Sequence, residues 1–214
     1  MFSYLVGNMK VDEALKTRRS VHNFDPEKEI GEETLREIFE LVRITPSGYN
    51  LQPVEFLVVK DKQLQEKLKA VSYNQQHVYD ASAVAIVLSR KDPENWCEKT
   101  FADWVEKGYF NEEIAKNVIG SVKSWPNYWG KDGMKAWAHK HAGLYAMALM
   151  VAAMQYGVQT EPMEGFDGQK VRELFGIPEH FEIPMFVCLG YQNKEQLPRL
   201  NRKKFEELVH VNKL

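Results

Sequence analysis

Two short stretches carry the side chains best suited to chemistry. Arg18-Arg19-Ser20 sets two guanidinium groups and a hydroxyl side by side at the end of a helix-like segment. Guanidinium supplies charged, forked donors and serine a neutral one, the donor set that a phosphate takes. The same residues suit a solvated helix end, since cations favour helix C-termini, and spacing leaves both readings open. The second stretch is Thr45-Pro46-Ser47-Gly48-Tyr49-Asn50-Leu51-Gln52-Pro53, set between an amphipathic helix and an apolar strand. Prolines stiffen both ends, and Ser47, Asn50 and Gln52 offer small polar groups between them. A rigid polar loop at the mouth of a buried strand suits ligand binding.

Other chemistries are argued against by what the sequence lacks. No Gly-x-Gly-x-x-Gly follows a strand, and no phosphate loop ends in Gly-Lys-Ser/Thr. His139 and His141 fall two apart on a helical segment, on nearly opposite sides, whereas helical metal ligands need i, i+4 spacing. No metal is therefore expected. There is no Gly-x-Ser-x-Gly elbow, and neither cysteine has a histidine close by in sequence. An enzyme built on this chain would borrow its reactive group from a cofactor, and no side chain is assigned as catalytic.

With 28 basic against 30 acidic residues, the chain lacks the basic surplus of a nucleic-acid binder. The one dense basic cluster, Arg199 to Lys204, suffices for a single phosphate but not for a duplex. Cys97 and Cys188 read as free thiols of a reducing cytoplasm. No positive leader followed by an apolar core is evident at the N-terminus. Ala142 to Val158 is uncharged, but it lies near the lower end of the roughly 17–25 residues a membrane span needs and carries Gln155 and Tyr156. It reads as a core or subunit-interface helix, with no membrane partner.

The elements that must position these groups follow from periodicity and breakers. Lys10 to Lys16 is helical. Glu32 to Ile44 is an amphipathic helix with Leu35, Ile38, Phe39 and Val42 on one face, ended by Pro46. Val54 to Val59 is a strand, and Asp61 to Ala70 a helix with Leu64 and Leu68 inward. Tyr73-Asn74-Gln75-Gln76-His77 is too polar for core. Ala81 to Leu88 is a second strand, Val158 to Pro162 is strand-like, and Pro184 to Gly190 is a third apolar strand. His139 to Tyr156 is the central helix with Gly157 as its C-terminal cap, and Gln169 to Phe175 a helix closed by Gly176. Residues 91–138 form an excursion that holds all five tryptophans. Pro126 and two glycines should break its helix between Ser124 and Gly133. Its rings could cover a flat apolar ligand or form a satellite aromatic core, and the sequence favours neither. Alternating helices and apolar strands give an α/β layer fold whose sheet is buried on both faces. At 214 residues without a linker the chain reads as one domain, ending in a charged arm at about 197–214.

Taken together, Arg18-Arg19-Ser20-Val21, Pro46-Ser47-Gly48-Tyr49-Asn50-Leu51-Gln52-Pro53, Tyr73-Asn74-Gln75-Gln76 and Pro162-Met163-Glu164-Gly165-Phe166 resemble the FMN-dependent nitroreductase family. Order and separation match from about Val11 to Val209. The resemblance implies an α+β fold with a central mixed sheet flanked by helices, in an intertwined homodimer with FMN at the subunit interface. It implies that Arg18, Arg19 and Ser20 grip the ribityl phosphate and ring edge. Pro46, Ser47 and Asn50, with Gln52 in the same loop, reach the flavin bound mainly by the other subunit. Asn74 contacts the ring, and His77 stands where several relatives carry a lysine near the pyrimidine edge. Pro162, Met163, Glu164 and Gly165 lie along the flavin near N5. Arg202 meets the phosphate, with Arg199 and Lys203 as further candidates.

The implied activity passes hydride from NAD(P)H through flavin N5 to an electron-poor small-molecule acceptor such as a nitroaromatic or quinone. The alternatives are another reductase of the same fold, acting on flavins, enones or halogenated compounds, or a flavin-binding sensor or carrier with little turnover. Trp125, Tyr128 and Trp129 are the expected substrate lid.

Overall fold

The computed structural model describes residues 9–214. The first eight residues of the expected domain, and with them the N-terminus at which no leader was expected, lie outside that range. Four strands form the sheet: β1 (Val54–Val59), β2 (Ala83–Arg90), β3 (Gln159–Met163) and β4 (Phe181–Gly190), in the order β1-β2-β4-β3. All three pairings are antiparallel, with Val54 opposite Ser89, Ala83 opposite Leu189 and Gln159 opposite Gly190. The mixed sheet expected above is therefore corrected. The parallel element is confined to an isolated bridge between Ser20 and Thr160. Continuous apolar runs report that both sheet faces are covered, not which way the strands run.

Alternation along the strands feeds a core on each face. Val84, Ile86, Phe186 and Cys188 pack with Val21, Phe24, Leu68 and Val78 on one side. Ala85, Val87, Val187 and Leu189 pack with Ile38, Val42, Ala146 and Leu149 on the other. The first face is covered by α3 (Lys62–Ala70), α4 (Gln76–Asp80) and α7 (Gly168–Phe175), the second by α2 (Glu32–Val42) and α6 (Glu112–Gln155). Local chemistry sets their ends. The Asp61 carboxylate accepts from Leu64 N–H to start α3, and Asp167 accepts from Gln169 and Lys170 to start α7. Gly176, at φ +62°, turns the chain out of α7.

The excursion comprises a short 3-10 turn (Pro93–Asn95), α5 (Cys97–Glu106) and the first half of α6. It builds a third core of Cys97, Phe101, Val122, Trp125, Met134 and Trp137, with Leu51 of the Thr45–Pro53 loop inserted. The satellite-core alternative thus describes Trp125. Tyr128 and Trp129 stay exposed. Helix α6 runs through Pro126 and breaks at Gly130 (φ 62°, ψ −173°), inside the Ser124–Gly133 stretch where a break was expected. A proline forfeits a backbone bond, and burial of Val122 and Trp125 on one face holds the helix across it. In α3 it is Gln65, bonded to Ala81 O, that is buried beside Leu68, while Leu64 faces solvent. The remaining helices are α1 (Val11–Thr17) and α8 (Phe205–Leu208), the latter in an arm that is exposed from Leu197 to Leu214.

Candidate functional site

Arg18, Arg19 and Ser20 leave α1 in extended conformation and run beside β3, where Val21 N–H donates to Thr160 O at 3.1 Å. The terminal arm returns to the same place. Arg199 Nη2 donates to Lys16 O at 2.8 Å and Arg18 O at 2.7 Å, which clamps arm to segment. A cavity of about 390 Å³ results, lined by Arg18, Arg19, Ser20, His22, Arg199 and Arg202 among others. Among the described residues none of its four arginines is ion-paired with a carboxylate. Arg18 Nη1 is buried with no hydrogen-bond partner. Burial, then the charges of Arg199 and Arg202, push the Arg18 guanidinium below its ordinary pKa. Positive charges gathered without carboxylate partners form a site for an anion.

A second group lies on the face of the sheet that packs α3, α4 and α7. Tyr73 and Asn74 both take left-handed backbone (φ 53° and 57°) between α3 and α4, a conformation asparagine tolerates through its short polar side chain. Gln75 Nε2 donates to Gly165 O at 2.7 Å and so ties this connection to the Pro162–Gly165 turn. A Cβ at position 165 would come within 2.8 Å of the same amide, so the Gln75 side chain would have to shift from this tie to admit one. His77 was expected in a stretch too polar for core. It is buried instead, in the first turn of the short helix α4 with its ring edge-on to that of His22, and burial lowers its imidazole pKa.

The Thr45–Pro53 loop stands apart. Neither Pro46, Ser47, Asn50 nor Gln52 lines the arginine cavity, and Gln52 instead lines one of about 420 Å³ with Tyr145 and Phe56. The loop backbone is strained, with Tyr49, Asn50 and Gln52 all near φ +50°. Several contacts hold it there. Ser47 Oγ accepts from Gln52 N–H at 2.9 Å, and its hydroxyl also meets that of Tyr145, while Trp96 Nε1 donates to Leu51 O at 2.7 Å. The buried His141 donates from Nδ1 to Trp137 O at 2.8 Å, which leaves Nε2 as acceptor for Gly48 N–H at 2.9 Å. Burial lowers the His141 pKa and keeps that acceptor unprotonated.

The expected residues therefore fall into three groups within one chain: arginines with Ser20; Asn74 and His77 with the Pro162–Gly165 turn; and the loop. His22, Glu161, His141, Tyr145 and Trp96 were not found by sequence reasoning. A glutamate inside the strand-like run Val158–Pro162 was the one signal available for Glu161. His141 and its loop partner are 93 positions apart, beyond any local pattern. No group of residues suited to a metal occurs among the described residues, and no described helix is long and apolar enough to cross a membrane.

Comparison with known proteins follows this geometry. The nitroreductase family model matches residues 15–191. MhqN of Bacillus subtilis (strain 168), which carries the name of an NAD(P)H nitroreductase, is 33% identical over 90% of this chain and 94% of its own. The Bacillus subtilis crystal structure of ydfN, described as a nitroreductase, superposes with a TM-score of 0.89 at 31% identity, covering 94% of this chain and 97% of that one. A structure from Exiguobacterium sibiricum, described as a nitroreductase in complex with FMN, gives 0.86 at 25% identity, with 95% and 98% covered.

Proposed function

The chain belongs to the nitroreductase family of oxidoreductases, and from that premise we propose that it moves hydride from NAD(P)H to an electron-poor acceptor through bound FMN. The reading is carried by the arginine cavity, where a buried guanidinium nitrogen lacks a partner beside three further arginines that have no carboxylate partner among the described residues. The donor set fits a phosphate: Arg18, Arg19, Arg202 and Ser20 would hold it, and each charge-assisted bond is worth about 1.5–3 kcal/mol. Bound FMN supplies the hydride acceptor and donor, chemistry the twenty side chains lack.

The chain's own residues do the rest. The Pro162–Gly165 turn and Asn74 would flank the ring, and the Gln75–Gly165 tie fixes their spacing. No side chain is assigned as catalytic. In the loop, Ser47 and Asn50, with Pro46 and Gln52, would serve the flavin of a second subunit, which accounts for their distance from the arginines. A homodimer is further supported by exposed Leu15, Leu144 and Met147 on helices and by the exposed arm from Leu197. Residues 1–214 are read as one flavin-binding domain. Two free, buried thiols fit a reducing cytoplasm. Nitroaromatics and quinones are the proposed acceptors, and Tyr128 with Trp129 the exposed part of the lid.

Purification tests this directly. The protein should be yellow, dimeric and able to consume NAD(P)H steadily when a quinone is added. A colourless protein that cannot be reconstituted with FMN overturns the reading, and a yellow one without turnover reduces it to a carrier.

A further inference from the structure

Two buried polar atoms beside the site have no partner: Glu161 Oε2 in β3 and His77 Nε2 in α4. Both residues are more than nine-tenths buried, at 7% and 8% exposure. A buried polar atom without a partner costs about 1–3 kcal/mol, and such atoms are rare in folded proteins. Two of them flanking one histidine call for a reason. That histidine is His22. Its Nδ1 lies 3.6 Å from Glu161 Oε1, and its ring meets that of His77 edge-on at 5.3 Å between centroids. His22 also lines the arginine cavity, and its side chain is largely open to solvent. It thus touches both the arginine cavity and the buried Glu161–His77 pair, and connects them to water.

We propose that Glu161, His22 and His77 form a proton-holding cluster at the edge of the cofactor, which takes up one proton from water when the cofactor is reduced. The inference rests on the flavin reading above. Hydride transfer brings two electrons and one proton from NAD(P)H and releases NAD(P)⁺. The reduced cofactor would carry an added negative charge, and a second proton would come from solvent through His22 onto the cluster. No further bond is made or broken.

The surroundings suit such a role. Glu161 faces the Ser20 hydroxyl and the charge of Arg18 from the N-terminal segment, and Cys188 from β4. His77 faces His22 and Asp80. Burial pushes the Glu161 carboxyl up and the His77 imidazole down, so the two affinities for a proton are driven toward each other. A charge that appears nearby then shifts where a proton sits among them. A purely structural carboxylate–imidazole contact would instead bind the same number of protons in both redox states.

The measurement is the pH dependence of the bound flavin's midpoint potential over about pH 6–8, where imidazoles titrate. One extra proton per two electrons changes the oxidised-to-reduced ratio by a further tenfold per pH unit, equivalent to about 30 mV. Wild type should show this steeper slope, and Glu161→Gln and the solvent-facing His22→Gln should lose it while still binding FMN. Slopes equal to wild type in both variants overturn the proposal. A wild type that binds no FMN overturns the flavin reading itself, an outcome distinct from FMN bound with unaltered slopes.

Discussion

Replacing His141 with leucine should release the Thr45–Pro53 loop without unfolding the protein. The loop stores strain: Tyr49, Asn50 and Gln52 occupy left-handed backbone that costs non-glycine residues on the order of 1–3 kcal/mol each. Against this stand four restraints: the Gly48–His141, Gln52–Ser47 and Trp96–Leu51 hydrogen bonds and the burial of Leu51. His141→Leu keeps an apolar side chain of similar bulk against Trp137 but leaves Gly48 N–H without its acceptor, which costs about 1–3 kcal/mol. That is comparable to the strain at any one of the three residues, so the loop relaxes locally rather than the core. A shift of about 1–3 kcal/mol corresponds to roughly 5–150-fold in an equilibrium. Amide exchange at Gly48 and Leu51 should accelerate by that factor, and FMN measured by fluorescence quenching should bind that much more weakly. The melting temperature should fall little. A large drop in melting temperature with unchanged loop exchange and FMN affinity would refute the reasoning, because His141 would then be only a core residue.

Arg18→Ala should weaken FMN by about 1.5–3 kcal/mol while leaving the urea midpoint of the cofactor-free protein unchanged, since Arg18 Nη1 has no partner to lose. Acid should destabilise the fold through His141, whose folded pKa lies below the unfolded value of about 6.5. Its contribution is fully present above that pH and is lost as pH falls through the folded pKa, so urea midpoints should drop less on acidification in His141→Leu than in wild type. Gly190→Ala should cost about 1–3 kcal/mol, because the new carbon would meet Phe24 Cδ1 at 2.8 Å and the Ser82 backbone nitrogen at 3.2 Å; calorimetry checks this. Trp129→Ala should change preference across a panel of quinones and nitroaromatics with FMN still bound. Trp125→Ala should instead destabilise by about 3–5 kcal/mol, since that ring is buried and stacks on Trp129 at 4.8 Å between centroids.

Much of this molecule is readable from local pattern. Helix α2 follows from Leu35, Ile38, Phe39 and Val42, and strand β2 from an unbroken apolar run. Gly157 and Gly176 both end helices in left-handed backbone. What local pattern misses is settled by distant partners. Strand direction depends on pairing between β2 and β4, about a hundred residues apart. His77 reads as surface because its neighbours in sequence are polar, yet it is buried, with its ring meeting that of the distant His22. The break of α6 within Ser124–Gly133 is legible, but that Gly130 makes it while the helix continues through Pro126 depends on the packing of Val122 and Trp125. The site divides likewise. The arginines and the Pro162–Gly165 turn are legible as motifs, whereas His141, His22 and Glu161 act through contacts that no spacing encodes.

The site's parts are stabilised in different ways, and this determines how each should respond to change. The arginine cavity is held open by charge: its guanidinium groups repel one another, and Arg199 reaches Arg18 only through backbone carbonyls. An arriving phosphate relieves that repulsion, so affinity there is set by side chains and is sensitive to salt. The loop is neutral, and its geometry is set by strained backbone clamped from α6 and from Trp96, so salt should not move it. Salt titration of FMN release in Arg18→Ala and His141→Leu separates the two mechanisms. The arginine variant should lose part of the salt dependence, and the histidine variant should keep all of it while binding more weakly at every salt concentration. Equal salt slopes in the two variants would mean that loop and cavity are not independent parts of the site.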